Sequence, residues 1–217
     1  VNLDDRDRER YLNAVGSRQL MAMRQAANGE SLGSAKFERL RQLLDHYRSE
    51  GEKVVIFSYF LRSLDLVQQL AADALRIDGK VHVTRRMEVI ATFTSTHGPA
   101  VMISQILAGG VGINLQAASS VILLEPQLKP TTEWQAIKRV HRMGQSRKVV
   151  VHRLLARETV DESLQELLGR KTVLFNEYAR ESAIKKVSAA AIDTSEATVA
   201  QRLVQMEVKR REAALAT

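Results

Sequence analysis

Apolar positions recur every third or fourth residue in the first fifty residues, and the pattern then switches to short continuous apolar runs. Residues 7–27 predict a helix with Tyr11, Val15 and Met23 on its apolar side, ended by Asn28-Gly29. The linker GESLGS follows, and Ser34 is placed to cap a second helix in which Phe37, Leu40, Leu44 and Tyr47 keep the 3.6-residue period. Ser49-Glu50-Gly51 closes it. Lys53–Tyr59, KVVIFSY, is a β-branched run that reads as a buried strand. The chain then predicts a helix over 62–76, a weak strand at Val81–Val83, a helix around Arg86–Phe93 and a strand at Ala100–Ser104. A Gly-rich loop leads to a strand at Ser120–Leu124, a helix running from Thr132 and a strand at Val149–Leu155. Helical periodicity returns at Val160 with Leu164, Leu168, Phe175 and Tyr178. Residues 193–196 offer a cap for a last helix bearing Val199, Leu203 and Met206.

Strands that alternate with helices and are apolar on both faces predict an α/β fold whose parallel sheet is covered by helices on each side. Three parts are expected: a helical segment over 1–33, the α/β domain over 34–160 and a helical extension over 161–217.

Composition narrows the class. The chain has no cysteine, which excludes disulfides and thiolate metal sites. Its start, VNLDDRDRER, is charged where a signal peptide is apolar, and no apolar run approaches the roughly 20 residues of a membrane span. A soluble, intracellular protein is expected: cytoplasmic in a bacterium, nuclear in a eukaryote. The net charge is +7. The two flanks are charge-balanced, so the whole excess falls in residues 31–160. A localised excess of this kind points to a polyanion such as nucleic acid or nucleotide.

Two segments carry candidate chemistry. In AGGVGINL, residues 108–115, Gly109, Gly110 and Gly112 let the backbone turn sharply and approach a partner closely, and their N–H groups are available to an anion. The spacing is not that of a dinucleotide fingerprint. In TEWQAIKRVHRMGQ, residues 132–145, a continuous helix would bring Gln135, Arg139 and Arg142 within about 60° of one another, opposite Trp134, Ile137 and Val140. Paired arginines suit the stabilisation of a phosphoryl-transfer transition state across an interface. The plainer readings are that Gln135 completes a capping box with Thr132 and that the arginines form a solvated face. His46, His82, His97, His141 and His152 have no metal-ligand spacing, and no nucleophile elbow is present.

Taken together and in order, these segments resemble the C-terminal helicase lobe of Swi/Snf-type enzymes within the superfamily-two helicases. VVIFSYF (54–60) resembles that family's motif IV and Gly109–Leu115 its motif V. Gln135, Arg139, His141, Arg142, Gly144 and Gln145 fit its motif VI. Asp78-Gly79, Arg86 and Phe93 fit an intervening spacing. The resemblance covers about residues 34–165 and is closest to a bacterial branch. It implies a RecA-like lobe that shares ATP and Mg²⁺ with a first lobe and moves on double-stranded DNA. Arg139 and Arg142 would reach the triphosphate, with Gln135, Gly110 and Gly112 in the same cleft. Gly109, Asn114 and Ser58 would lie against the nucleic-acid backbone. Leu107 stands where many relatives carry Lys or Arg, and KVHVTR (80–85) lacks the usual small polar residues.

A phosphate-binding loop of the form G-x-x-x-x-G-K-[ST] is not found: Gly79-Lys80 has Ala74 at the first glycine and Val81 at the hydroxyl position. The expectation is therefore a second motor lobe, inactive without its ATP-binding first lobe. A basic DNA- or protein-binding module with no ATP role is the alternative.

Overall fold

The computed structural model describes residues 1–108, 113–169 and 195–216. Helix α1 spans Asp5–Gly16, α2 Leu20–Asn28 and α3 Ala35–Ser49. The expected 7–27 helix is thus broken, because Arg18 takes a left-handed φ of 55° that an α-helix cannot hold. Strand β1 (Lys53–Ser58), α4 (Leu61–Leu70), β2 (Leu75–Ile77), α5 (Val83–Ser95), β3 (Ala100–Gln105), β4 (Ser120–Leu123), α6 (Pro130–Lys138) and β5 (Val150–Arg153) complete the α/β part. Residues 160–169 form α7, and Glu196–Leu215 form α8.

The strands are all parallel, in the order β2-β3-β1-β4-β5. Strand β1 lies at the centre because its run of Val54, Val55, Ile56 and Phe57 can bury both faces. Val54 and Ile56 pack with Phe37, Leu40 and Leu44 of α3 and Leu64 and Val67 of α4. Val55 and Phe57 pack with Val89, Ile90 and Phe93 of α5 and Ala136 of α6. The chain leaving β1 therefore turns to one face and the chain leaving β4 to the other, which opens the crevice at the carboxyl ends of strands where α/β sheets bind ligands.

The weak strand expected at Val81–Val83 is instead a turn leading into α5, with the His82 ring nitrogen accepting from Thr84 N–H. The strand is Leu75–Ile77, a three-residue edge strand with too few residues for an alternation to register. Both helical flanks contribute to a third apolar core, in which Tyr11, Val15 and Met23 meet Val160, Leu164, Val199 and Leu203. The stripe on α8 is ordinary packing. Phe175 and Tyr178 fall outside the described residues. No described helix is long and apolar enough to cross a membrane.

Candidate nucleotide and nucleic-acid site

Helix α6 starts at Pro130, whose missing N–H costs nothing at that position. Its N-cap is Lys129, so Thr132 lies inside the helix and the capping box with Gln135 does not form. The helix ends at Lys138 rather than continuing to Gln145. Glu133, Ala136 and Val140 face inward, whereas Trp134 is 63% exposed with the Lys138 ammonium 3.7 Å from its ring centroid. Trp134 therefore does not pack with Val140 as the periodicity implied. Gln135 is exposed on the next face.

The two arginines differ in kind. Arg139 is half-buried at the end of α6. It donates to the Ile106 carbonyl just beyond β3 at 3.4 Å and lies 5.9 Å from the Phe57 ring. Burial lowers its proton affinity from the ordinary guanidinium value. Arg142 lies beyond the helix and is exposed; its carbonyl accepts from Gln145 N–H at 3.0 Å, and its side chain has no hydrogen bond or ion pair among the described residues. It is an exposed cation three residues after a half-buried one.

The segment after the glycine loop is bonded to the segment after α6. Leu115 N–H donates to the Arg139 carbonyl at 2.9 Å, and Gln116 Nε2 to the Met143 carbonyl at 2.6 Å. In return Gln145 Nε2 donates to the carbonyls of Gln116 (2.9 Å) and Ala118 (2.8 Å), while Arg147 reaches the Ala117 carbonyl at 2.7 Å. Gly144 makes the turn with φ +94°, a conformation that favours glycine. Asn114 is exposed, and its side chain caps the next turn by accepting from Gln116 N–H at 3.1 Å and donating to Gln116 Oε1 at 3.0 Å. Gln145 and Gln116 were not legible as a brace, because each looks like a surface polar residue until the two loops are brought together.

Ser58 is fully buried. Its hydroxyl donates to Glu125 Oε2 at 2.9 Å and accepts from Phe60 N–H at 3.1 Å. It is thus withdrawn from the surface where a backbone contact was expected of it. Gly109, Gly110 and Gly112 lie outside the described residues. Asp78 accepts from Lys80 N–H and Arg76, and Arg86 donates to the carbonyls of Val81 and Ala108, so the intervening D-G…R spacing ties the start of α5 to the loop after β3. Leu107, in that loop, is 59% exposed.

Glu125, directly after β4, is the hub of a buried polar network. Its carboxylate accepts from Asn28, Ser58, Tyr59 N–H and Gln127. Sequence reading gave this residue no role, although an acid directly after a buried strand is a visible anomaly.

A five-stranded parallel sheet covered by helices on both faces defines a RecA-like lobe. Residues 35–144, just over half of the chain, match the family described as "Helicase conserved C-terminal domain". DNA repair protein RAD5B of Arabidopsis thaliana is 38% identical over 144 residues, covering 64% of this chain and 11% of that protein. Chromatin-remodeling ATPase INO80 of Homo sapiens is 33% identical over 143 residues, covering 64% of this chain and 9% of that protein. The C-terminal part of the Fun30 ATPase domain superposes with a TM-score of 0.67 at 28% identity, covering 84% of this chain and 55% of that one. The Sulfolobus solfataricus SWI2/SNF2 ATPase core in complex with dsDNA gives the same TM-score at 22% identity, covering 94% and 48%, which shows the fold. The chain belongs to the helicase conserved C-terminal domain family. It spans about a tenth of the length of these curated relatives. Because these curated relatives are eukaryotic, the expected closeness to a bacterial branch, and with it a bacterial cytoplasm, finds no support in them.

Proposed function

We propose that this chain acts as the second motor lobe of a double-stranded-DNA-dependent ATPase that translocates along the duplex, with ATP held between it and a first lobe. The observation that carries the reading is the split arginine pair. Arg139 is fixed to the sheet through the Ile106 carbonyl, and exposed Arg142 follows it on a loop braced by Gln145. The exposed Arg142 side chain is open to a triphosphate on lobe closure, the braced loop gives it a fixed base, and Arg139 is already oriented by its bond to the sheet.

Among the described residues no three His, Asp or Glu side chains converge to hold a metal ion. In this reading Mg²⁺ and most phosphate contacts therefore come from the first lobe, while Gln135, Gly110 and Gly112 of this lobe face the nucleotide. Bound ATP supplies the phosphoryl group. Arg139 and Arg142 stabilise the charge that spreads over its oxygens. Gly109 and Asn114 lie against the DNA backbone. The hydrogen bonds joining residues 115–118 to 139–147 give a direct mechanical path between nucleic acid and nucleotide. Contacts of this kind read phosphates rather than bases, so binding is weakly sequence-specific and salt-sensitive.

The test is ATP turnover with and without duplex DNA, on this chain and on the full-length protein containing the upstream lobe. The expected results are no turnover by the chain alone, DNA-stimulated turnover by the longer protein, and a loss of about a thousandfold on Arg142→Ala with the fold intact. A longer protein that is active and indifferent to Arg142→Ala would instead support a basic binding module.

A further inference from the structure

A line of buried polar side chains runs from α7 to α6 through the N-terminal helices. Lys36 Nζ donates to Asp161 Oδ2 at 2.6 Å and to Asn28 Oδ1 at 2.8 Å. Asn28 Nδ2 donates to Glu125 Oε2 at 2.8 Å, and Gln127 Nε2 donates to Glu125 Oε1 at 3.0 Å. Gln127 N–H then donates to Glu133 Oε1 on α6 at 3.0 Å, and Arg153 holds the other oxygen of Glu133 at 2.8 Å. Chemistry fixes the orientation of the Asn28 amide: the ammonium of Lys36 needs the oxygen and the carboxylate of Glu125 needs the nitrogen.

Apolar packing would hold α2 against the sheet equally well. A buried network in which each donor faces an acceptor additionally fixes geometry. Glu133 sits early in α6 and Arg139 at its end, about 9 Å further along at 1.5 Å per residue. A tilt imposed at Glu133 is therefore delivered to the guanidinium.

We propose that Asn28 is a positioning residue for Arg139: it makes the N-terminal helix α2 part of the mechanical frame of α6. This rests on the reading that Arg139 acts on a nucleotide. Helix α2 then transmits any movement of the segment that precedes the lobe, through Glu125, Gln127 and Glu133, to the arginine end of α6.

The test is Asn28→Asp, which is isosteric and keeps the acceptor for Lys36 but turns an oxygen toward Glu125 and cuts the line there. In the full-length protein, kcat with duplex DNA should fall on the order of tenfold while KM for ATP stays within about twofold. The reciprocal pair Asn28→Asp with Glu125→Gln restores a donor facing an acceptor and should recover most of kcat. On the 217-residue chain itself, Asn28→Asp should speed hydrogen exchange at the Tyr59 and Gln127 amides and through α6, and the reciprocal pair should restore protection. Unchanged protection of α6 in Asn28→Asp overturns the proposal whatever the ATPase result. So does a reciprocal pair no better than either single variant. Absence of DNA-stimulated turnover in the unsubstituted protein would sink the functional reading alone, leaving the exchange result to judge the frame.

Discussion

Replacing Lys36 by Met gives the sharpest stability test. The ammonium is 2% exposed and its partner Asp161 1% exposed. Its three donors go to Asp161 Oδ2, Asn28 Oδ1 and the Leu124 carbonyl, at 2.6, 2.8 and 2.9 Å. Methionine fills the stem's volume but leaves a buried carboxylate without its cation and two acceptors without a donor. Removing one partner of a buried pair costs about 3–5 kcal/mol. Against a total stability of about 5–15 kcal/mol the variant stays folded but is much weakened. Urea denaturation should show a deficit of about 4 kcal/mol at pH 7. Lys36→Met with Asp161→Leu should recover less than half of the loss at pH 7, since the charge is gone while Asn28 Oδ1 and the Leu124 carbonyl lack a donor and Ala156 N–H lacks its acceptor. A single-variant deficit below about 1 kcal/mol would refute the buried pair as described.

Two further outcomes follow from the same hydrogen bonds and titrations. Gln145→Leu removes both donors to Gln116 and Ala118 and the acceptor for Arg147 N–H. Water can replace part of this at a half-exposed loop, so unfolding free energy should drop by only about 1 kcal/mol while hydrogen exchange in 113–118 rises about tenfold; unaltered exchange would show that the two loops are not braced by Gln145. At His152, burial, then Arg39 and His46, hold the imidazole below its ordinary value of 6.5, and its Nε2 lies 2.6 Å from the Tyr47 hydroxyl. The unfolded chain takes up this proton more readily than the folded one, so the site's contribution is present above about pH 6.5 and is lost as pH falls through that value toward the lowered one. The fall in Tm between pH 7.5 and pH 5.5 should be smaller in His152→Gln than in the unsubstituted chain, and equal falls would contradict the assignment.

What could be read from the sequence divides along a physical line. Strands β1, β3 and β4 were legible because each is a continuous apolar run buried on both sides. Strand β2 was not, because Leu75–Ile77 is a short edge whose residues also suit the helix before it. Gly16-Ser17 signalled the break between α1 and α2, but the helical period continues across it. Periodicity likewise carried α6 past Lys138, since Val140 does face the core, yet from a turn rather than from a helix. Trp134 was assigned inward on its apolarity, whereas its outward position is set by the rotation that buries Glu133 for Gln127 N–H and Arg153. Ser58 is placed against nucleic acid only by the family resemblance, whereas in the folded chain the buried acid at Glu125 claims its hydroxyl.

The early end of α6 has a consequence for the arginines that a continuous helix would have hidden. On one helix, Gln135, Arg139 and Arg142 would form a single rigid row, and any displacement would carry all three together. In the folded chain Arg139 belongs to the sheet, through Ile106 and Phe57, whereas Arg142 belongs to the loop that Gln116 and Gln145 clasp. The same clasp holds the segment that carries Asn114. A pull on residues 113–118 therefore reaches the Arg142 loop through Gln116 and Gln145 and the end of α6 through Leu115 N–H and the Arg139 carbonyl, while a pull on α2 reaches Arg139 through Glu133. Two inputs, one from the segment proposed to meet nucleic acid and one from the segment that precedes the lobe, converge by hydrogen-bonded routes on the stretch that carries both arginines. Under the proposed function, a triphosphate contacted by both groups would be stabilised fully only when both routes are in register. A motor of this design would couple its chemistry to its track and to its other lobe at the same residues.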